Sequence, residues 1–175
     1  TFDLVDRLSG RYRVIMVDRP GLGWTGRLPG KSGAWNTAHE SPMEQAELLQ
    51  KAVEIIGVDN PVVVGHSFGG AVAMAWALGK PDDTAAVVML AAVSNPWPGD
   101  LGWTYTVVGT AAGGALLVPL ASAFVPPSYV DSSVESIFAP QPAPDGYAHH
   151  VGAALVLRCE SMRANAQQVN YLRPH

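Results

Sequence analysis

A serine hydroxyl is a weak nucleophile at neutral pH and becomes reactive only where backbone geometry and a base are arranged around it. Ser67 stands in the run Val62-Val63-Val64-Gly65-His66-Ser67-Phe68-Gly69-Gly70, directly after a β-branched stretch and directly before a small-residue stretch. This is the context of a nucleophile held on a strained strand-to-helix turn. Gly65 and Gly69 lie two residues either side of Ser67, where strand and helix are expected to cross too closely to admit a Cβ. Gly70, Ala71, Ala73, Ala75 and Ala77 keep the following helix thin, and its first N–H groups point toward an anion forming beside Ser67.

A nucleophilic serine needs a base, and the histidines are the candidates. His66 precedes Ser67 by one position, so on a strand end it points to the opposite side and reads as packing support under the turn. His149 and His150 follow Asp145 in an Asp-Gly-Tyr-Ala-His-His run, but that segment sits among prolines away from the layered part of the chain. His39 and His175 read as solvated. Asp18 and Arg19 end a strand where open sheets bind ligands, and a loop-anchoring role suits them better than catalysis. Cys159 reads as an ordinary buried or half-buried thiol. No His/Cys/Asp/Glu group has metal-ligand spacing, and Gly21-Leu22-Gly23 lacks the third glycine and immediate helix of a dinucleotide loop. No cofactor is implied.

The elements that must position these residues alternate. Tyr12 to Asp18 is a short apolar run emptied into a loop by Pro20-Gly21, which predicts a buried strand. Ser41-Pro42-Met43-Glu44 supplies an N-cap, a first-turn proline and a capping glutamate. Met43, Ala46, Leu49, Val53 and Ile56 then recur on one helical face, Gly57 ends the helix, and that face is expected to lie on a sheet. Pro61 to His66 is the next strand, Phe68 to Gly79 the next helix and Ala85 to Ala92 a third strand. These strands are apolar throughout, as central parallel strands buried on both faces are. The fold class is therefore α/β, a parallel sheet with flanking helices. After Val93, a series of prolines from Pro96 to Pro144 breaks the rhythm, so residues 1–93 form the α/β part and 94–175 a helical cap. Trp97, Trp103 and Tyr105 open that cap and could line an apolar pocket. Leu101 to Val130 carries no charged residue, yet interior Gly109, Gly113, Gly114 and Pro119 and the lack of flanking Lys/Arg argue for an apolar lid over a site and against a membrane span.

Composition narrows the partners. The 175 residues are 48% hydrophobic and 15% charged, enough for a buried core. A net charge of −4 without any Lys/Arg cluster is wrong for nucleic acid. The one cysteine allows no internal disulfide, so a reduced cytoplasm is the expected compartment.

Asp18-Arg19-Pro20-Gly21-Leu22-Gly23 after one strand and Gly65-His66-Ser67-Phe68-Gly69-Gly70 after another resemble the α/β-hydrolase superfamily, in its serine-nucleophile branch with a helical cap. The resemblance covers roughly residues 1 to 93. It implies Ser67 as nucleophile and the Phe68 backbone N–H as one oxyanion donor, with Gly65, His66 and Gly69 supporting the turn. The family loop often runs D-x-P-G-x-G-x-S, and Thr25 stands at its last position. The resemblance also implies an acid and a histidine on loops after later strands, and an oxyanion segment before the first sheet-side helix. Neither has a counterpart in residues 1–175, so the chain reads as a central fragment, with no base of its own for Ser67. The implied activity is hydrolysis, through an acyl-enzyme, of an ester, thioester, amide or activated C–C bond in a small apolar molecule. A non-catalytic small-molecule receptor of the same fold and an acyltransferase are the alternatives.

Overall fold

Two β-branched runs of five residues pair side by side, and an alanine-rich helix connects them. The structure is a computed structural model that describes residues 2–95, 99 and 101–172. Trp97 and His175 lie outside the described residues. The elements run α1 (Phe2–Ser9), α2 (Pro42–Ile55), β1 (Val62–His66), α3 (Phe68–Gly79), β2 (Ala86–Leu90), α4 (Trp103–Gly109), a π-helical turn (Gly113–Leu117) leading into α5 (Val118–Phe124), α6 (Pro127–Phe138), α7 (Tyr147–His150), a 3-10 turn (Ala153–Leu157) and α8 (Cys159–Leu172). β1 and β2 are parallel, with Val62 opposite Ala86 and His66 opposite Leu90.

The first turn of α2 forms as its residues dictate. Ser41 Oγ accepts from Glu44 N at 3.2 Å, and Glu44 Oε2 accepts from Ser41 N at 2.8 Å, closing the capping box. Ala46 and Leu49 bury the apolar face, but they bury it against α3 rather than the sheet: their cluster is Phe68, Val72, Ala75 and Trp76, with Val63, Val169 and Leu172 packed at its margin. α3 thus contacts both the sheet and α2, and the end of α8 closes on the same core.

Two expectations about the sheet fail for one reason. Tyr12 to Asp18 makes no ladder, and Tyr12, Met16 and Val17 are exposed. β1 and β2 are open on one side: Val62, Val64, Val88 and Leu90 are exposed, whereas Val63 and Gly65 face α3. Apolar composition equips a segment to be a central strand, but a strand exists only by exchanging hydrogen bonds with at least one neighbouring strand. Among the described residues, Tyr12–Asp18 has no such neighbour and the outer face of β1 and β2 has no helix on it.

No single helix among the described residues is long and apolar enough to cross a membrane. The uncharged stretch instead forms α4 and the Gly113–Phe124 helix, bent by 94° at their junction.

Candidate functional site

Ser67 is held in a conformation that side-chain-bearing residues resist. Its φ of 52° and ψ of −122° lie in a strained region outside the helical and extended basins. The backbone around it is pinned: Ser67 N donates to Leu90 O at 3.0 Å, and Ser67 O accepts from Gly70 N at 2.9 Å and Val93 N at 3.2 Å. The neighbouring strand thus over-determines the strained turn. The hydroxyl is exposed, does not cap α3, and has no hydrogen-bond partner among the described residues.

Glycine is required on both sides of this turn, though not at both expected places. A Cβ on Gly65 would stand 2.2 Å from Gly69 O, and one on Gly70 would stand 2.2 Å from Ala92 Cβ. A Cβ on Gly69 would meet nothing within 4 Å. Gly65 and Gly70 are therefore the close approaches, of strand to helix and of helix to the segment after β2. Gly69 sits at a helix position open on its Cβ side.

Phe68 opens α3, so its N–H has no intrahelical carbonyl to bond. It and its first-turn neighbours form the positive end of a twelve-residue helix, one residue from the Ser67 hydroxyl. His66 is exposed and lies on the sheet face opposite α3, so it does not support the turn from beneath as expected. His149 and His150 are exposed on the short α7. His39, expected to be solvated, is stacked on Tyr171 with centroids 3.7 Å apart. Burial first, then the charge of Lys31, holds its pKa below the ordinary 6.5 against the opposing pull of Glu44 and Glu40. Trp103 is exposed, and Tyr105 is half-buried with its carbonyl accepting from Asn170 Nδ2 at 2.7 Å. Cys159 is half-buried. Among the described residues no His/Cys/Asp/Glu group could hold a metal ion.

Beside the turn lies a buried polar cluster that sequence reading missed. Glu40 is fully buried and accepts Arg27 Nε and Nη2, each at 2.8 Å, Gln168 Nε2 at 3.0 Å and Leu28 N at 3.3 Å. Burial raises its pKa, and those hydrogen bonds with the Arg27 charge more than reverse that, leaving the carboxyl below its ordinary value. Arg27 also donates to Gln167 Oε1 and Ala38 O, both at 2.7 Å. Gln45 and Gln168 bridge from this pair to Arg19. Gln45 Nε2 donates to Glu40 O at 2.9 Å, and the two side-chain carbonyls accept from Arg19 Nη1 at 2.9 and 3.1 Å. The Arg19 guanidinium then sits 4.4 Å from the centroid of Phe68. Its burial lowers its pKa to about 10, so it stays charged at neutral pH. The one advance signal was Gln45 and Gln50 flanking the buried stripe of α2, since a buried glutamine must find partners.

Asp18 anchors its loop, as expected, by accepting Trp24 N on Oδ2 and the Thr25 hydroxyl on its carbonyl, both at 3.0 Å.

Eighty-four residues are 67% identical to lipase LipV of Mycobacterium tuberculosis, covering 48% of this chain and 30% of that one. A stretch of 97 residues is 31% identical to the 2-hydroxy-6-oxo-6-phenylhexa-2,4-dienoate hydrolase of Burkholderia cepacia, covering 52% and 32%. Another, of 78 residues, is 41% identical to the magnesium-chelatase 30 kDa subunit of Rhodobacter capsulatus, covering 45% and 25%. The matched part thus spans about a quarter to a third of these relatives' length. Residues 2–113, from α1 through the strained serine turn to the first helices beyond β2, match the model of the alpha/beta hydrolase fold, and the chain belongs to that family.

Proposed function

We propose that the whole protein is a hydrolase of the α/β fold whose nucleophile is Ser67, acting through an acyl-enzyme on an ester, thioester, amide or activated C–C bond of a small apolar molecule. The observation that carries this reading is the strained, exposed Ser67 pinned between β1, β2 and α3. A structural serine has no need of that conformation, and strain of order 1–3 kcal/mol persists where it positions a reacting group. Relatives named as a lipase and a dienoate hydrolase support the same chemistry.

In this mechanism Ser67 Oγ attacks the substrate carbonyl as a base removes its proton. The tetrahedral oxyanion is met by Phe68 N–H at the positive end of α3, a contribution on the order of 10²- to 10³-fold for one such donor. A histidine from the part of the protein outside this stretch takes the proton and an acidic residue orients it. The apolar lid, with Trp103 and Tyr105, shapes the substrate pocket.

The test is covalent labelling of the whole protein by a fluorophosphonate probe. Wild type is expected to label and Ser67→Ala not to. Equal labelling of both removes Ser67 from the mechanism, and no labelling of either favours a small-molecule binding scaffold.

A further inference from the structure

We propose that Arg19 is a positioning residue that couples helix α8 to the serine turn. This rests on Ser67 being the nucleophile. Arg19 is the one cation seated on Phe68 among the described contacts, and both amides that hold its Nη1 are themselves held by Glu40. A guanidinium over an aromatic face is attracted by the ring's quadrupole, and more strongly where water is excluded. In the proposed mechanism Phe68 carries the N–H that meets the oxyanion. Its ring therefore bears on a cation whose position is set jointly by Gln45 of α2 and Gln168 of α8.

The coupling runs along the length of α8. Gln168 Nε2 donates to Pro20 O at 2.9 Å, Ala164 packs where a Gly21 Cβ would stand, and Arg158, just before the helix, donates to Gly23 O and lies over the Trp24 ring. Successive turns of the helix thus track the loop that carries Arg19. A shift of α8 moves Gln168, and with it the guanidinium over Phe68. The turn can then be well aligned only while α8 is seated.

Lysine cannot replace this arginine, because a point-charge ammonium lacks the planar face and fork that touch the ring and both amides together. The experiment measures fluorophosphonate inactivation of the whole protein at varied probe concentration, separating maximal rate from probe affinity, with hydrogen exchange of the peptide containing Phe68. For Arg19→Lys the maximal rate is expected to fall on the order of 10- to 100-fold with probe affinity little changed, and exchange at the turn to rise. Gln168→Leu, which keeps Arg19 but removes its α8 amide together with that amide's bonds to Pro20 O and Glu40, is expected to lower the maximal rate and raise exchange to a smaller degree, and it serves alone if Arg19→Lys does not fold. Unchanged maximal rate and exchange in a folded variant overturn the coupling while leaving Ser67 as nucleophile. If wild type does not label, the nucleophile reading fails, and the coupling is judged on exchange alone: unchanged protection across the peptide containing Phe68 overturns it and lost protection upholds it.

Discussion

Replacing Arg27 with methionine tests whether the buried cluster holds the loops together. Its side chain is 2% exposed and that of Glu40 0%, so the ion pair is screened by no water. Arg27→Met removes two of the four described hydrogen bonds to the carboxylate and the cation paired with it, leaving Gln168 Nε2 and Leu28 N. Stranding a buried charge in this way costs about 3–5 kcal/mol. With an unfolding entropy of about 2.1 cal/mol/K per residue, a chain of this length loses roughly 8–14 °C in thermal midpoint. The sign of the pH response separates this cause from lost packing. In the wild type Glu40 has a depressed pKa, so its stabilisation is present above the ordinary carboxylate value and lost as pH falls through the lower folded value. In Arg27→Met the desolvated carboxyl is raised instead, so the variant recovers stability relative to wild type as pH falls toward 5. The double variant Arg27→Met/Glu40→Leu, with no charge left to strand, is expected to be more stable than Arg27→Met. Thermal unfolding of the three proteins at pH 7 and pH 5 decides the matter. A midpoint within about 2 °C of wild type, or a double variant less stable than the single one, refutes the reasoning.

Three further outcomes follow from the same geometry. Gly65→Ala and Gly70→Ala, each forcing a Cβ within 2.2 Å of a neighbour, should lose folded protein or probe labelling, whereas Gly69→Ala should fold with a midpoint equal to or above wild type, a Gly-to-Ala gain in a helix being about 0.5–1 kcal/mol. A clear loss of stability in Gly69→Ala contradicts the open space at that position. His39, with its folded pKa below 6.5, makes the unfolded state the better proton acceptor in that window, so stability should begin to fall as pH drops below 6.5, and His39→Phe should remove that slope while keeping the stack on Tyr171. Trp103→Ala should change the preference between short- and long-chain esters, with the fold intact; equal loss on every ester argues against a pocket role.

What was legible in the sequence was local. The capping box at Ser41, the ends of α3 at Phe68 and Gly79 and the strand before Ser67 are set by residues within a few positions of one another, so their pattern is written in the chain. What was not legible depends on partners far away. Tyr12 to Asp18 has the composition of a strand but no ladder neighbour, and β1 and β2 have the composition of a two-sided core but one covered face. Pattern also misassigned the glycines of the serine turn. Symmetry about Ser67 suggested Gly65 and Gly69, while the crossing geometry requires Gly65 and Gly70, because Ala92 of the segment after β2 presses on the second turn-side position. Gln167 and Gln168 gave no warning, since a polar pair on a helix reads as solvent-facing until the loop that covers it is known.

That loop shows how a short motif can be shaped from outside itself. In Asp18-Arg19-Pro20-Gly21-Leu22-Gly23 the two glycines have φ of 77° and 54°, which favours glycine, but the space around them is filled by different things. A Cβ on Gly23 would stand 2.3 Å from the Asp18 carboxyl that accepts Trp24 N, so this glycine serves the loop's own turn. A Cβ on Gly21 would stand 2.5 Å from Ala164 Cβ, so this one serves the seating of α8, more than 140 residues away. Gly21 and Ala164 are therefore a matched pair of small residues, and enlarging either one pushes α8 off the loop. Gln168, one turn further along, would then lose Pro20 O and Arg19 together, releasing the guanidinium from one of its two amides beside Phe68. Spacing that looks like a loop signature is thus also the seat through which a distant helix reaches the serine turn.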